Sequence, residues 1–259
     1  MVFRARGAKT YLAESHVQSP LKILRQFHLP DGRAVAQVLQ VTPGILGGDE
    51  YRIEIVVESG ASAIVMSPSA TKLHRMSEND HAAQVVDIRV EEGGHLEYYP
   101  ALTIPFPNAD FQQRLAVDLA PGARFGLLEE WAMGRVQRGE YLEFRRLSSR
   151  TVVDVAGKAV YRDALELSPS ADRVAQWGVL EKSRYTVSGF WYSPADEETS
   201  SPSESVNSLE AFGCIEPGQH YFRGLFDDSV KMNRAVNRVL GEMCHLWELP
   251  GSPLGSFSC

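Results

Sequence analysis

At 259 residues, 44% of them hydrophobic and 23% charged, the chain has the composition of an ordinary globular protein, long enough for one large all-β domain or two small ones. A formal net charge of −7 offers no basic excess for phosphates, which speaks against nucleic-acid binding, and the lack of any run of about 18 apolar residues speaks against a transmembrane helix. The first residues, MVFRARGAKTYL, lack the apolar core of a secretory signal, and Cys214, Cys244 and Cys259 share no CxxC spacing, so a reducing compartment, with the cytoplasm as default, is expected.

In chain order, Ala8 to Ser15 and Leu21 to His28 read as the first strands, joined through Ser19-Pro20. Pro30-Asp31-Gly32 is a turn, because proline presets φ and glycine tolerates positive φ. Ala34 to Val41 (AVAQVLQV) alternates with period two, as a half-buried strand does. The stretch Thr42 to Arg75 organises the rest of the chain. Its glycine-rich turn, Gly44 to Gly48, delivers Asp49; Tyr51, Ile53, Ile55 and Val57 alternate along a strand; Gly60 turns the chain into a second strand, Ala63 to Met66. Ser69 to Ser77 is expected to be a short helix with Ser67 or Ser69 as N-cap.

From there β signals dominate. Ala82 to Val90 (AAQVVDIRV) and Phe111 to Leu119 (FQQRLAVDL) alternate, His95 to Tyr99 lies between them, and Pro100, Pro105 and Pro107 interrupt a short apolar run as at an edge or corner. Arg124 to Trp131, Leu142 to Leu147, Thr151 to Val155 and Ala159 to Leu165 complete the series, with a turn at Gly134 to Gly139. Glycine turns at 60, 93, 122, 139 and 157 with short strands between them indicate an all-β sandwich, barrel or coil of strands, although no fixed repeat singles out the coil. Trp177 to Val187 is mixed in character, and Tyr192 to Ser208 is acidic and Ser/Pro-rich, as an exposed loop is. After a strand at Tyr221 to Phe226, Asp227-Asp228-Ser229 offers N-caps. Met232, Val236, Val239, Leu240, Met243, Cys244 and Trp247 then fall on one helical face, ended by Pro250-Gly251, with a loose tail to Cys259.

Few chemical motifs stand out. Gly44-x-x-Gly47-Gly48-Asp49 either cradles an anion or simply feeds a strand; it matches neither the dinucleotide fingerprint nor the P-loop. Ser69-Ala70-Thr71-Lys72 has the S-x-x-K form in which Lys, one helical turn on, takes the Ser proton; this gives a serine hydrolase as the alternative function. Its companion K-T-G strand is missing near the C-terminus, and Ser77-Glu78-Asn79 lies too close to act as the second motif. The seven histidines have no H-x-H or H-E-x-x-H spacing, and Cys244 of the Cys244-His245 pair sits on the apolar stripe. The carboxylates Asp49, Glu97, Glu129, Glu130, Glu140 and Asp163 lie in or beside apolar strands, where a charge is costly unless paired or solvated. Strand alternation could aim several at one interior polar channel, whose oxygen ligands would hold a divalent metal loosely; the plainer reading is that most face solvent.

Taken in order, Ser19-Pro20-Leu21, Gly44-x-x-Gly47-Gly48-Asp49, Ser67-Pro68-Ser69-Ala70-Thr71-Lys72, Leu96-Glu97-Tyr98-Tyr99-Pro100, Ile104-Pro105-Phe106, Glu129 with Gly134-Arg135, and Gly139-Glu140 resemble the urease accessory protein D family, called H in some organisms. The likeness spans about residues 7 to 168 and, more weakly, the C-terminal helix. His74 departs from it, standing where an aromatic is common, as do the doubled acid of Glu129-Glu130-Trp131 and the Ser-rich loop. The resemblance implies a mainly β fold of coil-like, β-helix-like stacked sheets with two α-helices, the longer near the C-terminus. It would be one domain over 1–259, with the β body at about 7–226 and the helix at about 229–249. It further implies a non-enzymatic nickel-delivery scaffold that binds urease accessory protein F, through it the GTPase accessory protein G, and docks on apo-urease. Nickel would pass transiently through an internal polar tunnel, with no tightly bound cofactor. On this resemblance Asp49, Glu129 and Asp163 line the passage, Glu97 and Glu140 support it, and Lys72 and Arg135 pair with such carboxylates, easing their ionisation. A third option, a carbohydrate-binding β-coil, would need an exposed aromatic platform such as Trp191 and Tyr192.

Overall fold

A computed structural model describes residues 1–170, 180–194, 205–206 and 209–249. The chain begins with a hairpin, β1 (Val2–Arg6) and β2 (Lys9–Glu14), followed by β3 (Leu21–Ile23), β4 (Phe27–His28) and β5 (Ala34–Gln40). It then winds in coils. The first is β6 (Glu50–Val57), β7 (Ser62–Met66) and β8 (Thr71–Leu73). The second is β9 (Ala82–Val90), β10 (His95–Tyr99) and β11 (Thr103–Pro105). The third is β12 (Asp110–Leu119) and β13 (Arg124–Ala132), followed by a 3-10 turn at Val136–Arg138. A fourth starts with β14 (Arg146–Val155), which doubles back as β15 (Lys158–Leu167). β16 (Tyr185–Tyr192), β17 (Ser205–Val206), β18 (Glu210–Glu216) and β19 (Gln219–Phe226) then lead into α1 (Ser229–Leu246).

The strands β6, β9, β12 and β14 that open the coils lie in one sheet, and β7, β10 and β13 that follow the turns lie in a second sheet facing it. The first sheet runs β15-β14-β12-β9-β6-β1-β2, with β6, β9, β12 and β14 parallel. The second runs β17-β18-β19-β16-β13-β10-β7-β5-β3, parallel from β5 to β13 and antiparallel from β13 to β19. The turns between sheets stack: Gly60, Gly93 and Gly122 have φ of 69°, 66° and 77°. A Cβ on Gly93 would meet Gly60 N at 3.9 Å, an ordinary contact, so the backbone conformation and not crowding is what calls for glycine there.

The periodicity of the sequence decides what is buried. Ile55, Val57, Val86, Ile88, Leu115 and Val117 of the first sheet pack on Val65, Leu96, Phe125, Leu127 and Phe190 of the second. The opposite face of the second sheet, with Ile64, Leu128, Val187 and Phe222, is covered by Met232, Val236, Val239, Leu240 and Met243 of α1. Asp228 caps that helix, accepting from Val230 N at 2.8 Å and Lys231 N at 2.9 Å.

Among the described residues α1 is the one α-helix, so the expected pair of helices is corrected to one. The segment expected to be helical, Ser69 to Ser77, instead contains β8, whose Thr71, Lys72 and Leu73 pair with Thr103, Ile104 and Pro105 of β11. Main-chain partners offered by the next coil outweigh a weak local helix preference. The strand β1 is an addition to the expected elements, and Arg146–Val155 is one strand where two are expected. The exposed loop expected over Tyr192 to Ser208 falls largely outside the described residues, as do the Pro250-Gly251 stop and the tail. Among the described residues no helix is long and apolar enough to cross a membrane.

Candidate functional site

Between the two sheets the apolar packing is interrupted by one polar file. On the first sheet, Tyr51, Gln84, Gln113 and Ser149 stand in register on neighbouring strands, and Thr151 and Asp163 pair one step further along. On the second, Glu129, Ser188 and Arg223 form a row. The rows meet at Glu129, which is only 4% exposed. Gln113 Nε2 donates to Glu129 Oε1, and Thr151 Oγ1 donates to Oε2 at 3.2 Å. Gln113 Nε2 also reaches Ser149 Oγ at 3.2 Å, while its Oε1 accepts from Gln84 Nε2 at 3.1 Å. Burial pushes the Glu129 carboxyl up to about 7; the Gln113 hydrogen bond opposes this and the Asp163 charge adds to it.

Each end of the file opens onto a cavity. Gln84 lines one of about 500 Å³ with Gln40, Thr42, Tyr51, Ser69 and Lys72. There Tyr51 OH accepts from Gln40 Nε2 at 2.9 Å and donates to Asp49 Oδ2 at 3.3 Å. Beyond Glu129 lies a void of about 10 Å³, room for about one water, lined by Ser149, Thr151, Asp163, Ser188 and Arg223. Asp163 is ion-paired with Arg223 and accepts from Tyr161 OH at 3.3 Å. Asp49 thus touches Tyr51 at the edge of the larger cavity, Glu129 stands within the file, and Asp163 lines the small void.

Of the other singled-out residues only Lys72 reaches the file, at the rim of the cavity of about 500 Å³. Glu97 faces the opposite side of its sheet, beneath α1, paired with Arg33 and accepting from Tyr99 OH at 2.8 Å. Glu97 is 2% and Arg33 3% exposed, and Arg33 also holds Asp31 at 2.6 Å. Burial pushes the Glu97 carboxyl up while Arg33 pulls it back; with a guanidinium in contact the ionised pair is the state we assign. Glu140 pairs with Arg135, whose hydrogen bond holds its carboxyl below the usual range, and the Arg135 guanidinium lies 4.2 Å from the Phe106 ring centre. Lys72 is exposed and makes no ion pair among the described residues. Glu130 points away from the file, on the alternate face of β13.

The remaining motifs resolve structurally. In the glycine-rich turn, Ile45 N donates to Lys72 O, Gly48 N to His81 O, Asp49 N to Leu46 O and Leu46 N to Asp49 Oδ2, so these amides serve the fold and are not aimed at an anion. Because Thr71–Leu73 is extended, Lys72 does not stand one helical turn after Ser69, which removes the geometry that the hydrolase reading needs. Trp191 is fully buried against α1 and offers no platform for a sugar. Among the described residues no three His, Cys, Asp or Glu side chains are grouped to hold a metal. Sequence reasoning missed Gln84, Gln113, Thr151 and Arg223. Gln113 carried a signal: in FQQRLAVDL it shares a face with Phe111, Leu115 and Val117, and a lone amide on an apolar face needs a buried partner.

The fold and site together define a two-sheet coil of parallel strands crossed by a buried, carboxylate-centred hydrogen-bonded file. A family model described as UreD urease accessory protein matches residues 1–251. The chain is 37% identical over 231 residues to urease accessory protein UreD 1 of Synechococcus sp. (strain JA-3-3Ab), covering 88% of this chain and 84% of the relative. It is 32% identical over 250 residues to urease accessory protein UreD of Deinococcus radiodurans, covering 94% and 88%. The chain belongs to the UreD family of urease accessory proteins.

Proposed function

We propose that the chain is a non-enzymatic scaffold for maturation of the urease metallocentre in the cytoplasm, passing nickel that arrives from the GTPase accessory protein G through accessory protein F on to apo-urease. One observation carries this reading: Glu129, a buried carboxylate, sits in a hydrogen-bonded file that links two cavities and has Asp49 and Asp163 towards its ends. A lone carboxylate backed by amides and hydroxyls suits a divalent cation in transit, since it offers too few donors, and none of the imidazole type nickel favours, to hold the ion. Membership of the accessory family supplies the context and the class of partner.

The test is co-purification with the F-type accessory protein, followed by nickel-dependent urease activation with Asp49→Ala, Glu129→Ala and Asp163→Ala. Loss of activation with F binding intact is expected. Full activation by all three variants, or a stable monomer with no affinity for accessory protein F or apo-urease, would overturn the reading.

A further inference from the structure

The ion pair between Asp163 and Arg223 has a particular position. Asp163 belongs to β15, the edge strand of the first sheet, and Arg223 to β19 of the second, so their contact spans the gap between the sheets. Both line the one-water void beside Glu129. The Arg223 side chain is 46% exposed and that of Asp163 12%, so the pair stands between that void and solvent. The sequence supplies no reason for a cation here: Arg223 lies in YFRGLF on the face shared by Tyr221 and Leu225.

We propose that the Arg223–Asp163 pair is the gate of the Glu129 file, closing its far end until a cation arrives. This deepens the transit reading and rests on it. While the pair is closed, the guanidinium, which stays protonated, occupies one carboxylate oxygen of Asp163 and places a positive charge across the exit. The Arg223 side of the pair is nearly half exposed, so its long side chain can swing into solvent. A divalent ion at Glu129 repels the guanidinium and offers Asp163 a stronger partner. Arg223 moves out, and Asp163 becomes the next oxygen ligand. The cargo thereby opens its own exit, and solutes are kept from entering the file by that end at other times.

The test uses the full chain carrying Ser149→Cys, which puts a thiol on the wall of the void. The rate of its modification by methyl methanethiosulfonate is read by peptide mass spectrometry, which separates it from the native cysteines. Adding Arg223→Ala should speed modification at least tenfold. Asp163→Asn, which breaks the pair with little change of shape, should do the same and serves if Arg223→Ala fails to fold. Arg223→Lys should stay near the parent rate. Rates within twofold across all variants would overturn the gate. Nickel-dependent urease activation separates the two ideas: faster modification with activation indifferent to Glu129→Ala keeps the gate and removes the nickel route, whereas unchanged modification with activation lost in Glu129→Ala does the reverse.

Discussion

Gln113 and Glu129 meet from opposite sheets, the amide donating to the carboxylate beside the apolar Leu115, Leu127 and Phe190. This pairing joins the two halves of the coil through a polar contact where apolar side chains would pack as well, and it sets the electrostatics of the interior.

The first prediction concerns pH. The Glu129 carboxyl is pushed from an ordinary 4.5 up to about 7 in the fold. Between those values the folded chain keeps a proton that the unfolded chain has released, so stability falls as pH rises through this window and levels off above it. Glu129→Gln should remove that part of the slope and stabilise the protein at mildly alkaline pH by about 1–3 kcal/mol. Urea unfolding across the window measures it; an unchanged slope would mean that the carboxylate is well solvated.

The second separates neighbours. Burial raises Glu129 and Glu130 alike, to about 7, yet they face opposite sides of β13. Glu129→Gln should abolish most nickel-dependent urease activation, and Glu130→Gln should leave it near the parent level. Equal loss in both would shift attention from the file to the sheet as a whole.

The third tests the cluster beneath α1. Arg33→Met leaves Glu97 buried without its guanidinium and should cost about 3–5 kcal/mol. Adding Glu97→Leu should recover much of this, because an apolar pair of similar volume has no charge to desolvate. A double variant no more stable than Arg33→Met would show that the loss lies with Asp31, which also loses Arg33, or with Tyr99, which loses its acceptor Glu97.

The fourth compares two glycines at positive φ. Gly93→Ala meets ordinary contacts and should cost about 1–2 kcal/mol from conformation alone. Gly32→Ala would place its Cβ 2.1 Å from the Ala8 carbonyl oxygen, forcing the turn apart from β2, and should lower the thermal midpoint clearly further.

Much of this architecture is legible in the residues. Period-two runs such as AVAQVLQV and AAQVVDIRV form strands because each buries one face, and the apolar stripe from Met232 to Trp247 forms the helix. Gly60, Gly93 and Gly122 are readable as turns, but unequal spacing hides the fact that they stack. The Ser69 to Ser77 segment misleads because strand pairing with β11 is a tertiary effect that no local window contains. At the site, Glu129 can be singled out as an acid in an apolar strand. Its surroundings cannot, since Arg223 and Asp163 lie 60 residues apart and meet only once the sheets face each other.

A parallel coil has no built-in stopping point: a bare rim would invite a second molecule to continue the ladder and grow into a fibre. Here each rim of the seven-stranded sheet folds back on itself as a hairpin, β1 with β2 and β14 with β15, and each hairpin carries an irregular register, at Val2/Phe3 and Val153/Asp154. Lys158, Arg162 and Glu166 then stud the outermost strand with exposed charge. These two folded hems, twisted and charged, work against end-to-end growth of the ladder from this sheet.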